Sequence, residues 1–488
     1  MLQLERNKMI IADPRLIYAD PRDLDTLRNA LKDNDPEGKL CPILMDQIYI
    51  QKKAIELLPE IISEHTRGKK ILMVSDMTPY FRGKDSLKEQ IYYLLSQNFD
   101  VLWLTLDNHD HVLHAVDEES TRIQEVIRTH QADCVLGIGG GTITDLCKDA
   151  SHAVDDSIPL IIVQTALSVN AFSDGISIML KNGVKCSLPT RYPSVLVIDL
   201  DVIEQAPMER NLAGYGDVLA TWTAPVDWYL SYKLGMNNTY NDPSCDILRT
   251  QNSELLEQSA RLAAKDQETF ELLAKVLTLS GLAMGIAGES SPSSGTEHII
   301  THLLDMAADK QHRDVAFHGA QVSIGTIFTA IAWDILLNEF DPTSVDLEKC
   351  FPTEEKMKSM VYESFEWIKK ETADECWKGY QKKLENWKSN KENFKKFLRN
   401  WDIIKTEIQN VVVSPQHLCE QMRAAGAPTH YSQMTPSIDE KTARWALRNC
   451  HLYRNRFTLS DLLFYLGWWN DDFIERLIQR ASELDAGL

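Results

Sequence analysis

Five short apolar runs in the first 200 residues predict buried β-strands. Each run has several consecutive aliphatic residues and ends in a polar turn, and segments of mixed polar and apolar positions, such as 86–97 and 118–129, separate them. The runs lie at 69–76, 100–107, 133–141, 158–165 and 194–201. Near-continuous apolar strands alternating with helices are typical of a parallel sheet covered on both faces. We therefore predict an α/β N-terminal domain with a parallel, Rossmann-like sheet.

The pattern changes after residue 201. From residue 207 onward strand patterns nearly vanish and a helical periodicity dominates, for example at 270–286. This predicts an α/β domain over 1–203, including a polar extension at 1–45 without an assigned role, and an all-α domain over 204–488. Within the second domain, 350–407 is rich in Lys, Glu and aromatic residues. Its aromatic stripe is predicted either to pack on the body of the protein or to form a partner or lid surface.

The composition narrows the class of protein. The 488 residues carry a formal net charge of −20, which argues against a nucleic-acid partner and against an anionic membrane surface. Charges stand where a signal peptide needs an apolar core, and no apolar run approaches the roughly 18 residues of a spanning helix. The nine cysteines include no CxxC pair, as is typical of reduced thiols. We expect a cytoplasmic protein.

A glycine-rich segment, GIGGGTITD at 137–145, follows the third predicted strand and opens a helix. Its glycines would let the backbone approach a pyrophosphate, and the helix N-terminus would offer free N–H groups. The segment is not a GxGxxG motif, and a tight turn without a ligand would use similar residues. Asp76, at the end of the first strand, is either an acceptor for an adenosine ribose hydroxyl, which would disfavour NADP, or a turn aspartate.

Candidate metal chemistry is concentrated in three later segments. AGYGDVLATW contains Asp217, SSGTEHIITH contains His298 and His302, and FHGAQVSIGT contains His318. His298 and His302 are spaced i,i+4 and therefore share one face of a helix. One carboxylate and two neutral imidazoles suit Zn²⁺, Fe²⁺ or Ni²⁺ and leave open positions for a substrate oxygen. Taken singly, each histidine is more often a core or surface residue than a ligand.

Together these segments resemble, in the same order, the motifs of the metal-dependent, iron-containing-type alcohol dehydrogenase superfamily, which includes dehydroquinate synthase. GGGTITD is similar to its GGGS/T-x-x-D loop, and AGYGD, SSGTEHIITH and HGAQVSIGT are similar to its metal-site motifs. The late segments RAAGAPTHYSQM and RNRFTL resemble its C-terminal motifs. The match covers about 69–327 and 423–463 and is strongest to the sn-glycerol-1-phosphate dehydrogenase branch. The residues around 367–401 look like an insertion without a counterpart.

The resemblance implies a role for each group of residues. It implies that one divalent metal ion is held by Asp217, His298 and His318. It implies that NAD or NADP is held by Asp76, Gly139, Gly140, Gly141, Thr142, Asp145, Lys148, Thr165 and Ser168. It implies a substrate side formed by His302, Asn170, Asp174 and Lys185, with Lys148 and Lys185 as candidate anion contacts.

Three positions depart from the family pattern. Leu167 stands where the family has proline, Asn170 where it has an acidic residue, and Ala220 with Thr221 where it has Gly-Lys. An amide in place of a carboxylate changes what a substrate hydroxyl or phosphate meets. The departures bear on the substrate more than on the metal or the cofactor.

The resemblance thus implies a metal-dependent, NAD(P)-linked oxidoreductase that interconverts a small, phosphorylated ketone or aldehyde and an alcohol. The site is expected in the cleft between the two domains, and the enzyme is expected to be a homo-oligomer. One alternative is a non-redox lyase or cyclase of the dehydroquinate synthase type that uses bound NAD transiently, for which several basic residues around the metal are expected. Another is a binding protein that kept the fold without the activity.

Overall fold

The computed structural model describes residues 12–107, 113–181 and 184–488, and its N-terminal half is built on a parallel sheet. The strands are β1 (Gln47–Gln51), β2 (Lys70–Asp76), β3 (Phe81–Arg82), β4 (Asp85–Ser86), β5 (Asp100–Leu106), β6 (Cys134–Gly139), β7 (Leu160–Gln164), β8 (Ile176–Lys181), β9 (Val184–Pro189) and β10 (Val195–Asp199). Six of them form a sheet in the order β1-β10-β7-β6-β2-β5, in which every neighbouring pair is parallel. The pairs β3–β4 and β8–β9 are antiparallel and separate. The five predicted strands are confirmed, whereas β1 and the β8–β9 hairpin were not predicted.

Helices cover both faces of this sheet. The helices of the N-terminal half are α1 (Pro14–Ile17), α2 (Leu24–Asp33), α3 (Leu58–His65), α4 (Leu87–Ser96), α5 (Asp117–His130) and α6 (Gly141–Val154). Ile71 and Met73 of β2 enter a core with α3 and α4, whereas Leu72 and Val74 enter a larger core with α5 and α6. Alternate residues of a strand point to opposite faces, so near-continuous apolar runs are needed to fill both cores.

The second half is helical, as predicted. Its helices are α7 (Leu200–Ile203), α8 (Met208–Val218), α9 (Ala224–Lys233), α10 (Asp242–Glu257), α11 (Ser259–Ala263), α12 (Gln267–Ala287), α13 (Thr296–Lys310), α14 (His318–Glu339), α15 (Glu354–Phe365), α16 (Lys370–Ser389), α17 (Lys391–Arg399), α18 (Trp401–Gln409), α19 (Pro415–Ala425), α20 (Glu440–Asn449), α21 (Leu459–Tyr465) and α22 (Asp471–Glu483). By length and composition α12 and α14 could cross a membrane, but they are mostly buried as central helices of this half.

The polar N-terminal extension and the insertion both pack on the helical half. In the N-terminal extension α1 lies against α10, and Arg22 forms an ion pair with Glu271 of α12 at 3.1 Å. In the insertion, helices α15 to α18 bury their aromatic stripe. The buried aromatic side chains include Trp377, Tyr380, Trp387, Phe394 and Trp401. The stripe is therefore part of the core of this half.

Candidate active site

The glycine-rich loop and Asp76 lie at adjacent strand ends. Strands β2 and β6 are neighbours, with Ser75 paired to Ile138, so Asp76 and Gly139 end the two strands side by side. From β2 the chain passes to β5 on one side and then to β6 on the other. Such a switch point opens a crevice at the carboxyl ends of the strands, where α/β proteins bind dinucleotides. Thr165 joins this crevice, because its backbone N–H donates to the carbonyl of Gly139 at 3.2 Å.

The three glycines of the loop have different surroundings. A Cβ at Gly139 would lie 2.6 Å from the side chain of Ile143, and one at Gly141 would lie 2.9 Å from that of Val169. A Cβ at Gly140 would meet only the Ser168 hydroxyl, at 3.7 Å. Gly139 and Gly141 therefore permit close packing, whereas Gly140 leaves open space before the first turn of α6, where Thr142 also lies. This cradle fits a pyrophosphate beside the free amides of a 14-residue helix.

Asp76 has local partners. Its carboxylate accepts hydrogen bonds from the hydroxyls of Thr78 at 2.6 Å and Tyr80 at 3.0 Å, and Lys88 lies 3.6 Å away. These contacts fit the turn interpretation of this aspartate. Its contact with a ribose stays a prediction.

Three other predicted residues are buried behind the loop. Lys148 pairs with Asp174 at 2.7 Å and donates to the carbonyl of Ala171 at 3.0 Å, and both members of the pair are almost fully buried. Burial raises the pKa of nearby Asp145 to about 7, although Lys148 opposes this. The amine of Lys148 is already engaged, so the geometry gives it and Asp174 a structural role. It does not support the predicted anion and substrate contacts.

Helices α8 and α14 cross closely because glycines stand where they meet. A Cβ at Gly216 would lie 2.4 Å from the carbonyl oxygen of Gly319, and one at Gly319 would lie 1.8 Å from that of Ala213. Side chains at the crossing would push the helices apart. Because Asp217 follows Gly216 and His318 precedes Gly319, the crossing brings a carboxylate and an imidazole together.

The three predicted metal ligands meet at this crossing. The candidate ligand atoms of Asp217, His298 and His318 lie within 4.8 Å of one another. His298 Nε2 is 3.3 Å from Asp217 Oδ1, and the ring centroids of His298 and His318 are 5.3 Å apart. Asp217 and His298 are buried, whereas the side chain of His318 is 24% exposed, so the group opens to solvent on the His318 side.

Neighbouring groups orient two of these side chains. The backbone N–H of Asn170 donates to Asp217 Oδ2 at 2.8 Å. Glu297 Oε1 lies 3.1 Å from Nδ1 of His298, and its Oε2 accepts from the hydroxyl of Thr223 at 2.9 Å. A neutral His298 that donates from Nδ1 to Glu297 directs the lone pair of Nε2 towards Asp217. A carboxylate behind a histidine is the usual support of a metal ligand.

The donor set fits a divalent cation. Asp217 Oδ1 and His318 Nδ1 are buried and make no hydrogen bond of ordinary geometry in the described part of the chain. Burial lowers the pKa of His298, but hydrogen bonds to Asp217 and Glu297 outweigh it and raise the pKa to about 9. The carboxylates of Glu297 and Asp217 therefore flank the two ring nitrogens of His298. A metal ion would take the place of the proton on Nε2.

A second group of possible ligands shares His318. It consists of His302, Asp305 and His318. Asp305 is already held by Lys185 at 2.5 Å and by the Gln321 amide at 2.8 Å. Although burial opposes it, Lys185 and His318 hold the pKa of Asp305 well below its usual range. Because a lysine already neutralises this carboxylate, the group around Asp217 is the better cation site.

Basic residues border the open side of the triad. The Arg454 guanidinium donates to the carbonyl oxygen of Lys185 at 2.5 Å, and the Tyr453 hydroxyl donates to the same oxygen at 3.3 Å. The ring centroid of His302 lies 6.4 Å from that of Tyr453 and 5.5 Å from that of His318. Burial and then the positive charge of Arg454 hold the pKa of His302 well below its usual value, so this imidazole is neutral.

Asn170 contributes mainly through its backbone. Its side-chain amide donates to the Ser280 hydroxyl at 3.1 Å, on α12, while its N–H holds Asp217. The structure therefore brings together Asn170, Lys185, His302 and the three metal-ligand candidates. Lys148 and Asp174 stay behind the cofactor loop.

Known proteins resemble this chain in sequence. The sequence model of the iron-containing alcohol dehydrogenases matches residues 49–207. A glycerol-1-phosphate dehydrogenase [NAD(P)+] of Halalkalibacterium halodurans is 31% identical over 290 residues, 58% of this chain and 70% of that protein. The enzyme of the same name from Pyrococcus furiosus is 30% identical over 286 residues, 58% of this chain and 77% of that protein. The chain belongs to the iron-containing alcohol dehydrogenase family. The resemblance and the expectation of an oxidoreductase are confirmed.

Solved structures of other proteins show the same fold. A probable glycerol dehydrogenase from Sinorhizobium meliloti aligns with a TM-score of 0.55 at 17% identity, over 90% of this chain and 98% of that one. A 1,3-propanediol oxidoreductase aligns with a TM-score of 0.55 at 16% identity, over 90% and 99%. The predicted two-part architecture, a parallel sheet followed by helices, is thereby confirmed.

Several residues of this candidate site were not predicted from the sequence. Glu297 stands beside His298 in the motif SSGTEHIITH, and its position before a candidate ligand histidine could have suggested its role. Arg454 and Tyr453 lie in the late segment that resembled the family, but nothing in the sequence places that segment beside Lys185. Asp305 carries no motif, and only the fold brings it to the site.

Proposed function

We propose that this protein catalyses the NAD(P)-linked interconversion of a small phosphorylated ketone and the corresponding alcohol. Dihydroxyacetone phosphate and sn-glycerol 1-phosphate are the first pair to test. The observation that carries the proposal is the pair of cations, Lys185 and Arg454, beside Asp217, His298 and His318. The names of the relatives in the comparisons support the same substrate class.

The cations suit a phosphate group. The side chain of Lys185 is 28% exposed and pairs with Asp305, which leaves further ammonium hydrogens free to donate. Arg454 is half-buried and presents a fork of five N–H donors, one of which holds the Lys185 carbonyl. A phosphate bound between them would place a short carbon chain towards the triad. In a protein with a net charge of −20, such local donors are needed to hold an anion.

The metal-ligand candidates would hold one divalent ion through Asp217 Oδ1, His298 Nε2 and His318. Bound there, the ion would supply Lewis-acid polarisation of a substrate oxygen. The backbone N–H of Asn170 and the carboxylate of Glu297 hold Asp217 and His298 in place, so these ligands need little rearrangement when the ion binds. We further propose Zn²⁺, Fe²⁺ or Ni²⁺, which one carboxylate and two imidazoles accommodate.

The loop at Gly139–Gly141, with Thr165 and Ser168, would hold the dinucleotide pyrophosphate. The nicotinamide ring would supply or accept hydride, and the protein would contribute chiefly its orientation. His302 is neutral and its buried Nδ1 has no hydrogen-bond partner among the described residues. It is therefore suited to a hydrogen bond with a substrate hydroxyl.

The test is a substrate screen of metal-loaded protein. NADH or NADPH would be offered with dihydroxyacetone phosphate, dihydroxyacetone and simple aldehydes, and the loss of the reduced cofactor's absorbance would be followed. We expect kcat/KM to be at least about tenfold higher for dihydroxyacetone phosphate, since two charge-assisted contacts are available to its phosphate. No turnover on any substrate, despite tight NAD(P) binding and full metal loading, would refute the proposal.

A further inference from the structure

The insertion packs directly against the turn that carries Arg454. A Cβ at Gly379 of α16 would have the Arg454 Cα and carbonyl carbon as its nearest neighbours, both at 3.4 Å. Trp387 of the same helix stacks on Tyr465, with ring centroids 4.6 Å apart, and on Phe457, at 5.4 Å. Helix α16 therefore supports the backbone of 451–458.

One charged side chain of the insertion reaches into this contact. The amine of Lys383 is fully buried and pairs with Asp461 Oδ1 at 2.6 Å. It also donates to the carbonyl oxygens of His451 at 2.8 Å and Tyr453 at 3.4 Å. A buried ion pair is costly to desolvate, and apolar residues of similar volume often stabilise a folded protein equally well. The distinctive property of Lys383 is that it fixes the position of two backbone carbonyls.

The turn held in this way has an unfavourable backbone conformation. Arg454 has φ +60°, in the left-handed region that side chains other than glycine seldom adopt. In this conformation its guanidinium and the Tyr453 hydroxyl both reach the carbonyl of Lys185. A turn of this kind persists only when surrounding contacts determine it. The carbonyl of Tyr453, which Lys383 holds, belongs to the peptide bond that joins Tyr453 to Arg454.

We propose that Lys383 is a positioning residue, which locks the turn at Arg454 so that the guanidinium and Tyr453 stay at the anion side of the active site. The insertion thereby sets the preference of this chain for a phosphorylated substrate. This inference rests on the proposed function for its kinetic readout, but the order of the turn can be measured separately.

The test compares Lys383→Met with Lys382→Met, an exposed lysine one residue earlier on the same helix. For each variant, KM and kcat would be measured for dihydroxyacetone phosphate, dihydroxyacetone and NAD(P)H. Amide hydrogen exchange would be followed over 451–457. We expect Lys383→Met to raise KM for dihydroxyacetone phosphate about tenfold, the effect of losing one charge-assisted contact. KM for the cofactor and kcat/KM for dihydroxyacetone should stay unchanged, exchange over 451–457 should rise, and Lys382→Met should match the wild type.

A double variant tests whether the effect passes through Arg454. In an Arg454→Met background, Lys383→Met should produce no further rise in KM, because the positioned group is already gone. If Lys383→Met fails to fold, the double variant Lys383→Met with Asp461→Asn removes both buried charges. Its side-chain amide oxygen can still accept from the backbone N–H of Thr458, as Asp461 Oδ2 does at 2.9 Å, so the same measurements can be made.

Each outcome decides a separate point. If a folded Lys383 variant keeps the wild-type KM for dihydroxyacetone phosphate, or if its effect adds fully to that of Arg454→Met, the positioning role is wrong. If the wild type itself shows no preference for the phosphorylated substrate, the proposed function fails. Exchange over 451–457 then decides the inference: faster exchange in Lys383→Met supports it, and unchanged exchange overturns it.

Discussion

The backbone N–H of Asn170 donates to Asp217 Oδ2 at 2.8 Å, and this bond joins a loop of the sheet domain to a metal-ligand candidate of the helical domain. Leu167, in the same loop, also touches the helical half, since its carbonyl oxygen would lie 2.0 Å from a Cβ at Gly214 of α8. The two departures from the family pattern at Leu167 and Asn170 therefore occupy a domain contact. The contribution of position 170 to the metal site needs only a backbone amide.

The first prediction follows from this backbone contact. Asn170→Ala should bind metal with unchanged stoichiometry, because the N–H to Asp217 remains and only the hydrogen bond to Ser280 is lost. The cost of that bond is about 1 kcal/mol in the free energy of unfolding. Asp217→Asn should lose most of the metal, because a charged ligand becomes a neutral amide. Metal content of the purified proteins checks both, and a metal-free Asn170→Ala would show that the side chain takes part.

Glu297 supplies the second prediction. Glu297→Gln should weaken metal binding about 10- to 100-fold, because the carboxylate that orients His298 is replaced by a neutral amide. Competition with a chelator of known affinity measures the change. Glu289→Gln is the control, since Glu289 is a half-buried carboxylate in this half that accepts from Trp228 and Asn237, at 3.1 and 2.8 Å. Equal losses of affinity in both variants would contradict a specific role of Glu297.

Gly140 offers a test of the cofactor loop. Gly140→Val should fold normally, because the space around its Cβ is open, but should lose NAD(P) affinity, because the new side chain would fill the cradle for the pyrophosphate. We expect at least a tenfold rise in the dissociation constant, about 1.4 kcal/mol, in a fluorescence titration with the reduced cofactor. Wild-type cofactor affinity in Gly140→Val would place the dinucleotide elsewhere.

The sequence allows the fold to be predicted where local patterns carry the information. The apolar runs that became β2 and β6 must fill two cores, and this requirement is visible residue by residue. Strand β1, with the sequence QIYIQ, has too few aliphatic residues for such a run, because it lies at the edge of the sheet. Its pairing with β10 depends on a partner almost 150 residues away, which no local pattern reveals.

The candidate site could likewise be predicted only where local motifs identify its residues. The triad could be predicted because Asp217, His298 and His318 lie in ordered family motifs. Lys148 was expected at an anion, but its distance to Asp174 is set by the packing of α6 against the hairpin that follows. Arg454 was not selected at all, because its proximity to Lys185 spans nearly 270 residues of chain and depends on the insertion behind it.

The crossing of α8 and α14 gives a prediction for stability and metal binding together. Gly319→Ala should lower the free energy of unfolding by about 1 to 3 kcal/mol or more, because its Cβ would overlap the Ala213 carbonyl and force the helices apart. Metal affinity should fall with it, since the same crossing sets the distance between Asp217 and His318. Thermal denaturation and chelator competition check the two effects.

The control for this substitution is Gly379→Ala, also in a helix. A Cβ there makes only ordinary contacts at 3.4 Å, so the change should stabilise by about 0.5 to 1 kcal/mol through helix propensity. Normal metal affinity in a destabilised Gly319→Ala would show that the ligands do not depend on the crossing.

His451 makes stability depend on pH. Its ring is buried and stacks on Phe464 with centroids 4.2 Å apart, and neither nitrogen makes a hydrogen bond of ordinary geometry with the described residues. Burial and the nearby charge of Lys383 lower its pKa from 6.5 to about 3. Between these two pKa values the unfolded chain binds a proton that the folded chain does not bind. This contribution to stability is therefore complete above pH 6.5 and is lost as the pH falls towards 3.

His451→Leu should remove this loss of stability, which is on the order of a few kcal/mol at the acid end. Urea unfolding at pH 7.5 and at pH 5 measures the difference, with His114→Leu as the control at an exposed histidine. An equal drop in stability for wild type and His451→Leu would mean that other groups dominate the acid response.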